Sequence, residues 1–132
     1  NDNGRHLYMF NISNKQLTSL GLNDIRQAWL EDERLIYQTK QDQIWQADLT
    51  NIDETKQHLS NIFGKSSFVK NSDIYHVDPA THTLFKYNID TKQQTTLFQL
   101  KEKAWWIEDI KANKLLISQA IAVKKEVISL RQ

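Results

Sequence analysis

The chain alternates apolar and polar residues in short stretches that are separated by polar turns. Between residues 73 and 98, three such stretches follow one another. Alternation with a period of two is typical of half-buried β-strands. Asp78-Pro79 and Asp90-Thr91 lie between the stretches, and they favour turns because Asp bonds its own downstream backbone while Pro presets φ. The pattern therefore predicts a series of short antiparallel strands.

The same arrangement recurs along the chain with a period of about 40 residues. Each copy begins with an aliphatic residue before an aromatic one and ends with Asn or Asp before an aliphatic residue. The three copies are Leu7-Tyr8-Met9-Phe10-Asn11-Ile12, Ile44-Trp45-Gln46-Ala47-Asp48-Leu49 and Leu84-Phe85-Lys86-Tyr87-Asn88-Ile89. A second landmark, an aromatic residue followed by an aliphatic one, keeps nearly the same spacing at Trp29, Phe68 and Trp106.

A period of about 40 residues with four short strands in each unit is typical of the blades of a β-propeller. A single blade leaves apolar surface uncovered, so consecutive blades must stack against one another. The recurring aromatic residues are then predicted to form the core between blades, in preference to a stacking platform for bases or sugars. They are Tyr8, Trp29, Trp45, Phe68, Phe85 and Trp106.

The repeat predicts a single all-β domain over residues 1–132 with about three four-stranded antiparallel blades. Two whole units span about residues 25–61 and 65–100. The last two strands of another unit precede them, and residues 105–130 follow. Closed propellers typically have roughly four to eight blades. We therefore expect an excised C-terminal segment of a larger propeller, or a piece that closes by pairing with another copy.

A small mixed α+β domain is the alternative fold. Residues 23–31 begin with an Asn-Asp pair that could cap a helical turn. Residues 123–130 could likewise end the chain as a helix.

The stretch IYHVDPATHTLFKYNIDTKQQTTL is similar to the divergent propeller repeats of the TolB, WD-repeat-like and prolyl-oligopeptidase group. It shares their order of strand, Asp-containing turn, strand, Asp-Thr turn and strand. It departs from them where Lys92 or Lys56 replaces the glycine expected after the Asp-Thr turn. The Gly-His and Trp-Asp pairs of WD repeats are absent as well.

Among bacterial proteins, such repeats resemble the exported C-terminal parts of membrane-anchored transcriptional activators of the CadC/ToxR type. The resemblance implies the periplasmic sensory portion of such a regulator. It also implies that attachment to the membrane would come only through an N-terminal helix outside this sequence. A cytoplasmic location is left open.

Composition removes several classes of function. Seventeen basic and sixteen acidic residues leave a formal charge of +1, which gives no electrostatic reason to expect a nucleic-acid or acidic-membrane partner. The chain has no cysteine, so disulfides, thiolate zinc sites and a cysteine nucleophile are excluded. Neither a phosphate-binding glycine loop nor a nucleophile elbow occurs. We therefore expect no catalytic residue and no cofactor.

His76, Asp78 and His82 come nearest to a set of metal ligands. Imidazole and carboxylate groups suit zinc, and a strand would point His76 and Asp78 to the same side. A convincing site needs at least three placed donors and supporting hydrogen bonds. We expect ordinary polar residues near a turn and no metal site.

Two acidic stretches follow equivalent aromatic landmarks: Glu31-Asp32-Glu33 after Trp29-Leu30, and Glu108-Asp109 after Trp106-Ile107. One interpretation is an acidic rim at a mouth of the propeller, which would meet a cationic ligand or a basic partner. The other, which we favour, is a pair of solvated turns between the first and second strands.

The sequence thus predicts a non-catalytic sensory or binding module that recognises a protein partner or a small-molecule signal through its loops. This segment is not expected to contact nucleic acid, and a homo-oligomer is left open. The alternatives are a substrate-filtering propeller of a peptidase and a scaffold for protein partners.

Overall fold

The computed structural model describes residues 4–60, 62, 66–101 and 104–121. Within these residues the chain forms twelve strands and one short helix, which confirms the all-β class. The elements are β1 (Tyr8–Asn11), β2 (Gln16–Ser19), β3 (Ile25–Glu31), β4 (Arg34–Thr39), β5 (Ile44–Asp48), α1 (Ile52–Thr55), β6 (Gln57–His58), β7 (Ser67–Lys70), β8 (Asp73–Val77), β9 (Thr83–Asn88), β10 (Gln94–Gln99), β11 (Trp105–Lys111) and β12 (Lys114–Gln119).

In this part of the chain the strands form four antiparallel sheets, each built from consecutive strands. Sheet I contains β1 and β2, sheet II contains β3 to β6, sheet III contains β7 to β10, and sheet IV contains β11 and β12. Sheets II and III coincide with the two whole units predicted from the repeat. The α+β alternative is wrong for residues 25–31, which form β3, and its second helix at 123–130 lies outside the described residues.

The recurring Asn or Asp residue of the repeat forms the same turn in three units. Asn11, Asp48 and Asn88 end the equivalent strands β1, β5 and β9. In each case the side-chain oxygen Oδ1 accepts a hydrogen bond from the backbone N–H two residues further on, at 2.9, 2.9 and 3.0 Å. Such turns are the reason that Asn and Asp are favoured at strand ends.

In two units a lysine occupies the position at which a propeller repeat would carry glycine. The backbone of this lysine adopts the left-handed conformation that glycine favours. Lys15 and Lys92 have φ angles of 60° and 62°. Their N–H groups donate to the carbonyl oxygens of Asn11 and Asn88, at 2.7 and 2.8 Å. Lys56 differs, with φ of −64°, because in sheet II the Asp48 turn is followed by α1, and Lys56 lies at the C-terminal end of this helix. The departure from glycine therefore leaves the turn intact in those two units.

Three apolar clusters join the sheets in chain order. The cluster between sheets I and II contains Leu7, Leu20, Leu22, Ile25, Leu35, Tyr37, Trp45, Ala47, Leu49 and Ile52. The cluster between sheets II and III contains Trp29, Ile36, Ile44, Leu59, Ile62, Val69, Ile74, Tyr87 and Ile89. The cluster between sheets III and IV contains Phe68, Tyr75, Val77, Leu84, Leu100, Trp105, Ile107, Leu115 and Ile117.

Alternate residues of the central strands serve opposite clusters. In β4, Leu35 and Tyr37 belong to the cluster with sheet I, while Ile36 belongs to the cluster with sheet III. In β8, Ile74 faces sheet II and Tyr75 faces sheet IV. Strands buried on both faces need apolar residues at consecutive positions, which explains the uninterrupted run of buried residues in β4.

The prediction that the recurring aromatic residues form the core is confirmed for some of them. Trp29 and Phe68 meet edge to face with ring centroids 6.4 Å apart, and Trp45 packs between sheets I and II. The prediction is wrong for Tyr8 and Trp106, which are 55% and 41% exposed. The inward position in β11 belongs instead to Trp105, because side chains two residues apart share a face and Ile107 is buried.

We expect Ile74→Ala to destabilise the protein by about 2–5 kcal/mol, because Ile74 is fully buried between sheets II and III and truncation would leave a cavity. Ile121→Ala is the matched control, since Ile121 is 91% exposed, and it should change the free energy of unfolding by less than about 0.5 kcal/mol. Urea denaturation of both variants measures the difference. Equal effects would contradict the stacking of the two sheets.

Candidate functional site

An acidic cleft of about 560 Å³ opens where the β3–β4 turn meets the ends of β5 and β9. Its charged lining consists of five carboxylates and one guanidinium, from Glu31, Asp32, Glu33, Asp48, Asp90 and Arg34. The structure thus brings the first predicted acidic stretch together with two turn residues that the sequence did not associate with it. The cleft can attract a cation through those carboxylates that are not already engaged in hydrogen bonds.

Glu31 links sheet II to the equivalent turn of sheet III. Its carboxylate oxygens Oε2 and Oε1 accept hydrogen bonds from the backbone N–H groups of Asn71 and Ser72, at 2.6 and 2.9 Å. Asn71 and Ser72 have φ angles of 54° and 67°, as the tightest hairpin turns require. The carboxylate of Glu31 is therefore used to hold the two sheets together.

Arg34 also links sheet II to sheet III, from the other side of the β3–β4 turn, where it pairs with Glu31. Its Nη1 donates to Asp90 Oδ1 at 2.9 Å, and its Nη2 donates to the hydroxyl oxygen of Ser72 at 2.6 Å. The Arg34 hydrogen bond, followed by the charge of its guanidinium, lowers the pKa of Asp90 below its usual range. We name Glu31, Arg34, Ser72 and Asp90 the polar clamp between sheets II and III.

The remaining carboxylates of the cleft differ in their engagement. Asp48 accepts hydrogen bonds from the N–H and hydroxyl groups of Thr50, at 2.9 and 2.7 Å, and these bonds lower the pKa of Asp48. Asp32 and Glu33 are exposed at the tip of the β3–β4 turn. Asp32 has φ of 53°, a conformation that Asp and Asn tolerate better than most residues. Asp32 and Glu33 are therefore the carboxylates best placed to meet a ligand.

Glu108 and Asp109 lie elsewhere. Both are inside β11, on a strand rather than in a turn. Glu108 Oε2 accepts a hydrogen bond from the hydroxyl of Ser118 at 2.6 Å, and Asp109 Oδ1 accepts one from the N–H of Ile110 at 2.8 Å. The prediction that they are equivalent to the acidic β3–β4 turn is wrong.

The strand pairing explains the error. Lys111 pairs with Lys114 beside the β11–β12 turn, as Glu31 pairs with Arg34 beside the β3–β4 turn. A register irregularity between Ile107 and Asp109 inserts an extra residue into β11. Trp106 lies five residues before Lys111, whereas Trp29 lies two residues before Glu31, and the irregularity accounts for one of the three additional residues. Spacing counted from the aromatic landmark therefore places the turn too early in this unit, and the position equivalent to Glu31 carries a lysine.

His76, Asp78 and His82 have separate structural roles. His76 is fully buried, with its Nε2 3.1 Å from Gln94 Oε1 and its ring 5.4 Å from that of Phe85. Asp78 Oδ1 accepts a hydrogen bond from the N–H of Ala80, and the N–H of His82 donates to the Asp78 carbonyl at 2.7 Å. In the part of the chain that is described, no group of three or more His, Asp or Glu residues is placed to hold a metal ion.

A second pocket, of about 290 Å³, lies between sheets III and IV and was missed by the sequence reasoning. Its lining is largely apolar and includes Pro79, His82, Trp105 and Trp106. Ser66, also in the lining, accepts a hydrogen bond from the N–H of Ile107 at 2.6 Å. The adjacent residues Trp105 and Trp106 were the signal in the sequence that could have indicated this pocket. Neighbouring side chains of a strand point to opposite faces, so only one of the two tryptophans can enter the core.

Comparisons with known proteins do not assign this chain to a family. No family model matches the chain, and no curated protein or solved structure is significantly similar to it. Within the described residues, no helix has the length and apolar character needed to cross a membrane.

We expect Glu31→Ala to destabilise the protein by about 1–3 kcal/mol, because two backbone N–H groups of the next sheet would lose a charged hydrogen-bond acceptor. Glu33→Ala is the control, since it removes an exposed carboxylate from the same turn and should cost less than about 0.5 kcal/mol. Chemical denaturation provides the measurement. A larger loss for Glu33→Ala would contradict the role of the polar clamp.

The polar clamp also predicts a dependence of stability on pH. The pKa of Asp90 is lower in the folded protein than in the unfolded chain, so its contribution is present above the unfolded pKa and is lost as the pH falls through the folded pKa. Asp90→Asn should therefore lose less stability than the wild type between pH 6 and pH 3. Asp109→Asn, outside the clamp, serves as control in the same denaturation series. An unchanged slope for Asp90→Asn would refute this contribution.

Proposed function

We propose that this chain is a non-catalytic binding module built from propeller-type blades, and that it forms the sensory portion of a bacterial membrane-anchored transcriptional regulator. Its acidic cleft recognises a cationic group of the signal or partner. The observation that carries the proposal is the meeting of two repeat units at this cleft, with two exposed carboxylates beside a polar clamp that joins the units.

The serial stacking of sheets supports the propeller-type architecture. Two successive sheets have four strands in chain order, and each contributes one face to the cluster before it and the other face to the cluster after it. Blades of a propeller bury their surfaces in this way, with each unit contacting its neighbours in the series. The turns at the ends of such blades are free to vary and to bind.

The charge of the cleft supports a cationic ligand. Arg34 is already paired with Asp90, so it offsets little of the charge that Asp32 and Glu33 present to solvent. Exposed carboxylates attract cations over a distance of about 8 Å at physiological salt, and the attraction is screened when salt is added. A lysine or arginine side chain, or a small amine, has the required charge.

The sensory context rests on the resemblance to CadC/ToxR-type regulators, whose exported parts carry such repeats. The coding sequence upstream of this segment tests it directly. A winged helix and a stretch of about 20 apolar residues support the sensor, because a transmembrane helix needs that length. A serine hydrolase domain beside this segment would instead support a peptidase propeller.

We expect a tri-lysine peptide to bind the protein and to bind the double variant Asp32→Asn/Glu33→Gln several-fold more weakly. Each exposed ion pair contributes about 0.2–1 kcal/mol, and Asn keeps the backbone conformation of the turn. The control Glu108→Gln/Asp109→Asn makes the same change of charge outside the cleft and should leave the affinity unchanged. Calorimetric titration at low and high salt measures these affinities.

The proposal for the cleft fails if the wild type does not bind the peptide at low salt, or if both double variants weaken binding equally. In the first case the cleft is not a cation site. In the second, attraction comes from the whole surface and not from Asp32 and Glu33.

A further inference from the structure

The outer faces of the two-stranded sheets I and IV expose large apolar side chains. In sheet I, Tyr8 and Phe10 are 55% and 53% exposed, and Leu17, which pairs with Phe10, is 66% exposed. In sheet IV, Trp106 and Leu116 are 41% and 62% exposed. Leu7, beside Tyr8, and Trp105, beside Trp106, belong to the adjoining clusters, and Leu116 lies between two residues of the same cluster as Trp105. Neighbours in a strand lie on opposite faces and residues two apart share a face, so Tyr8, Phe10, Trp106 and Leu116 are directed away from those clusters.

Sheets II and III also expose apolar residues, in each case toward one of the short sheets. Leu30 is 53% exposed and pairs with Leu35, which faces sheet I. Phe98 is 64% exposed and pairs with Leu84, which faces sheet IV. Residues that pair directly across two strands share a face, so each exposed residue extends a cluster that the short sheet covers only in part.

The two short sheets are complementary halves of one repeat unit. The Asn or Asp turn that ends β1 also ends β5 and β9, which are the third strands of sheets II and III. The turn that begins β12 corresponds to the turns that begin β4 and β8, the second strands. Among the described residues, sheet I therefore consists of third and fourth strands, and sheet IV consists of first and second strands.

We propose that β12 pairs with β1 of a second copy of this chain, so that sheet IV and the partner's sheet I form one composite four-stranded sheet. The inference rests on the propeller-type architecture of the proposed function. Two copies then supply four whole sheets and two composite sheets, a ring of six with twofold symmetry. If the described sheets of one copy closed on themselves, they would give a ring of three, below the roughly four to eight blades of closed propellers.

The register of the composite sheet follows from the two complete sheets. Their second and third strands pair at Leu35–Ala47 and Tyr37–Trp45 in sheet II, and at Ile74–Tyr87 and His76–Phe85 in sheet III. The same register places Leu115 opposite Phe10 of the partner subunit, and Ile117 opposite Tyr8 of the partner subunit. Leu115 and Ile117 already belong to the cluster between sheets III and IV.

This arrangement covers several of the apolar residues that are exposed in the single chain. Tyr8 and Phe10 of the partner subunit would extend the cluster between sheets III and IV toward Phe98, which is uncovered in the single chain. Leu116 would face the next sheet II of the ring, on the side where Leu30 is uncovered. The hydrogen-bonding edges of β12 and β1 would also be satisfied by each other.

Disulfide trapping tests the register, because the natural sequence has no cysteine. We expect the double variant Tyr8→Cys/Ile117→Cys to form a covalent dimer on mild oxidation, seen at twice the 15.6 kDa chain mass on non-reducing gels. Paired residues in neighbouring antiparallel strands are close enough for a disulfide. The matched control Ser19→Cys/Ile117→Cys places the first thiol one strand further away, about 10 Å from its partner, and should not form the dimer.

Light scattering of the unmodified chain provides a second measurement, independent of the cysteine variants. We expect a dimer at micromolar concentration, and Phe10→Lys should raise its dissociation constant at least tenfold by burying a charge. Ser13→Lys adds the same charge to the turn of the same hairpin and should leave the dimer unchanged.

The possible outcomes are distinct. A monomeric chain, a disulfide formed within one chain, or a ladder of larger covalent species would each overturn the two-copy ring. A monomer that still binds the tri-lysine peptide at Asp32 and Glu33 would refute the composite sheet alone. A dimer with the expected disulfide but no cation binding would instead refute the proposed cleft.

Discussion

Burial of both faces of each sheet is the constraint on which the rest of this structure depends. A four-stranded sheet such as sheet II has apolar residues on both sides, with Leu35 directed to one neighbour and Ile36 to the other. Neither face can be left in water without losing about 25 cal/mol for every Å² of apolar surface. Each sheet therefore requires a neighbour on either side, and the chain meets this need by placing similar units in series.

Polar contacts add a definite alignment to this stacking. Apolar surfaces alone tolerate sliding, because the hydrophobic effect has no direction. Glu31 reaches the backbone of the next sheet through two charged hydrogen bonds, and Arg34 reaches Asp90 and Ser72. These bonds fix one end of sheet II against one end of sheet III. The acidic cleft lies at this end, so the same turns define both the interface and the proposed binding surface.

The sequence was sufficient to predict features that depend on local chemistry. The turns at Asn11 and Asn88 recur because each side-chain oxygen accepts a hydrogen bond from the backbone N–H two residues further on. Such a turn depends only on a few consecutive residues, so it can be predicted from the sequence. It was insufficient where the distance from the aromatic landmark to the turn changed. Trp106 lies five residues before Lys111, whereas Trp29 lies two before Glu31, and the irregularity in β11 supplies only one of the three additional residues. The meeting of Asp48 and Asp90 in one cleft depends on how two sheets stack, so it needed the structure.

The position of the cleft also suggests why a binding module would place its ligand between two units. A cation that approached Asp90 would compete with Arg34, the residue that ties the carboxylate to the turn of sheet II. Ligand affinity would then depend on the alignment of the two sheets. A ligand that binds one alignment more tightly than another shifts the population toward it. A ligand held by Asp32 and Glu33 alone would leave the polar clamp unchanged. Under the proposed function, the first mode transmits a signal through the stack, whereas the second provides recognition without it.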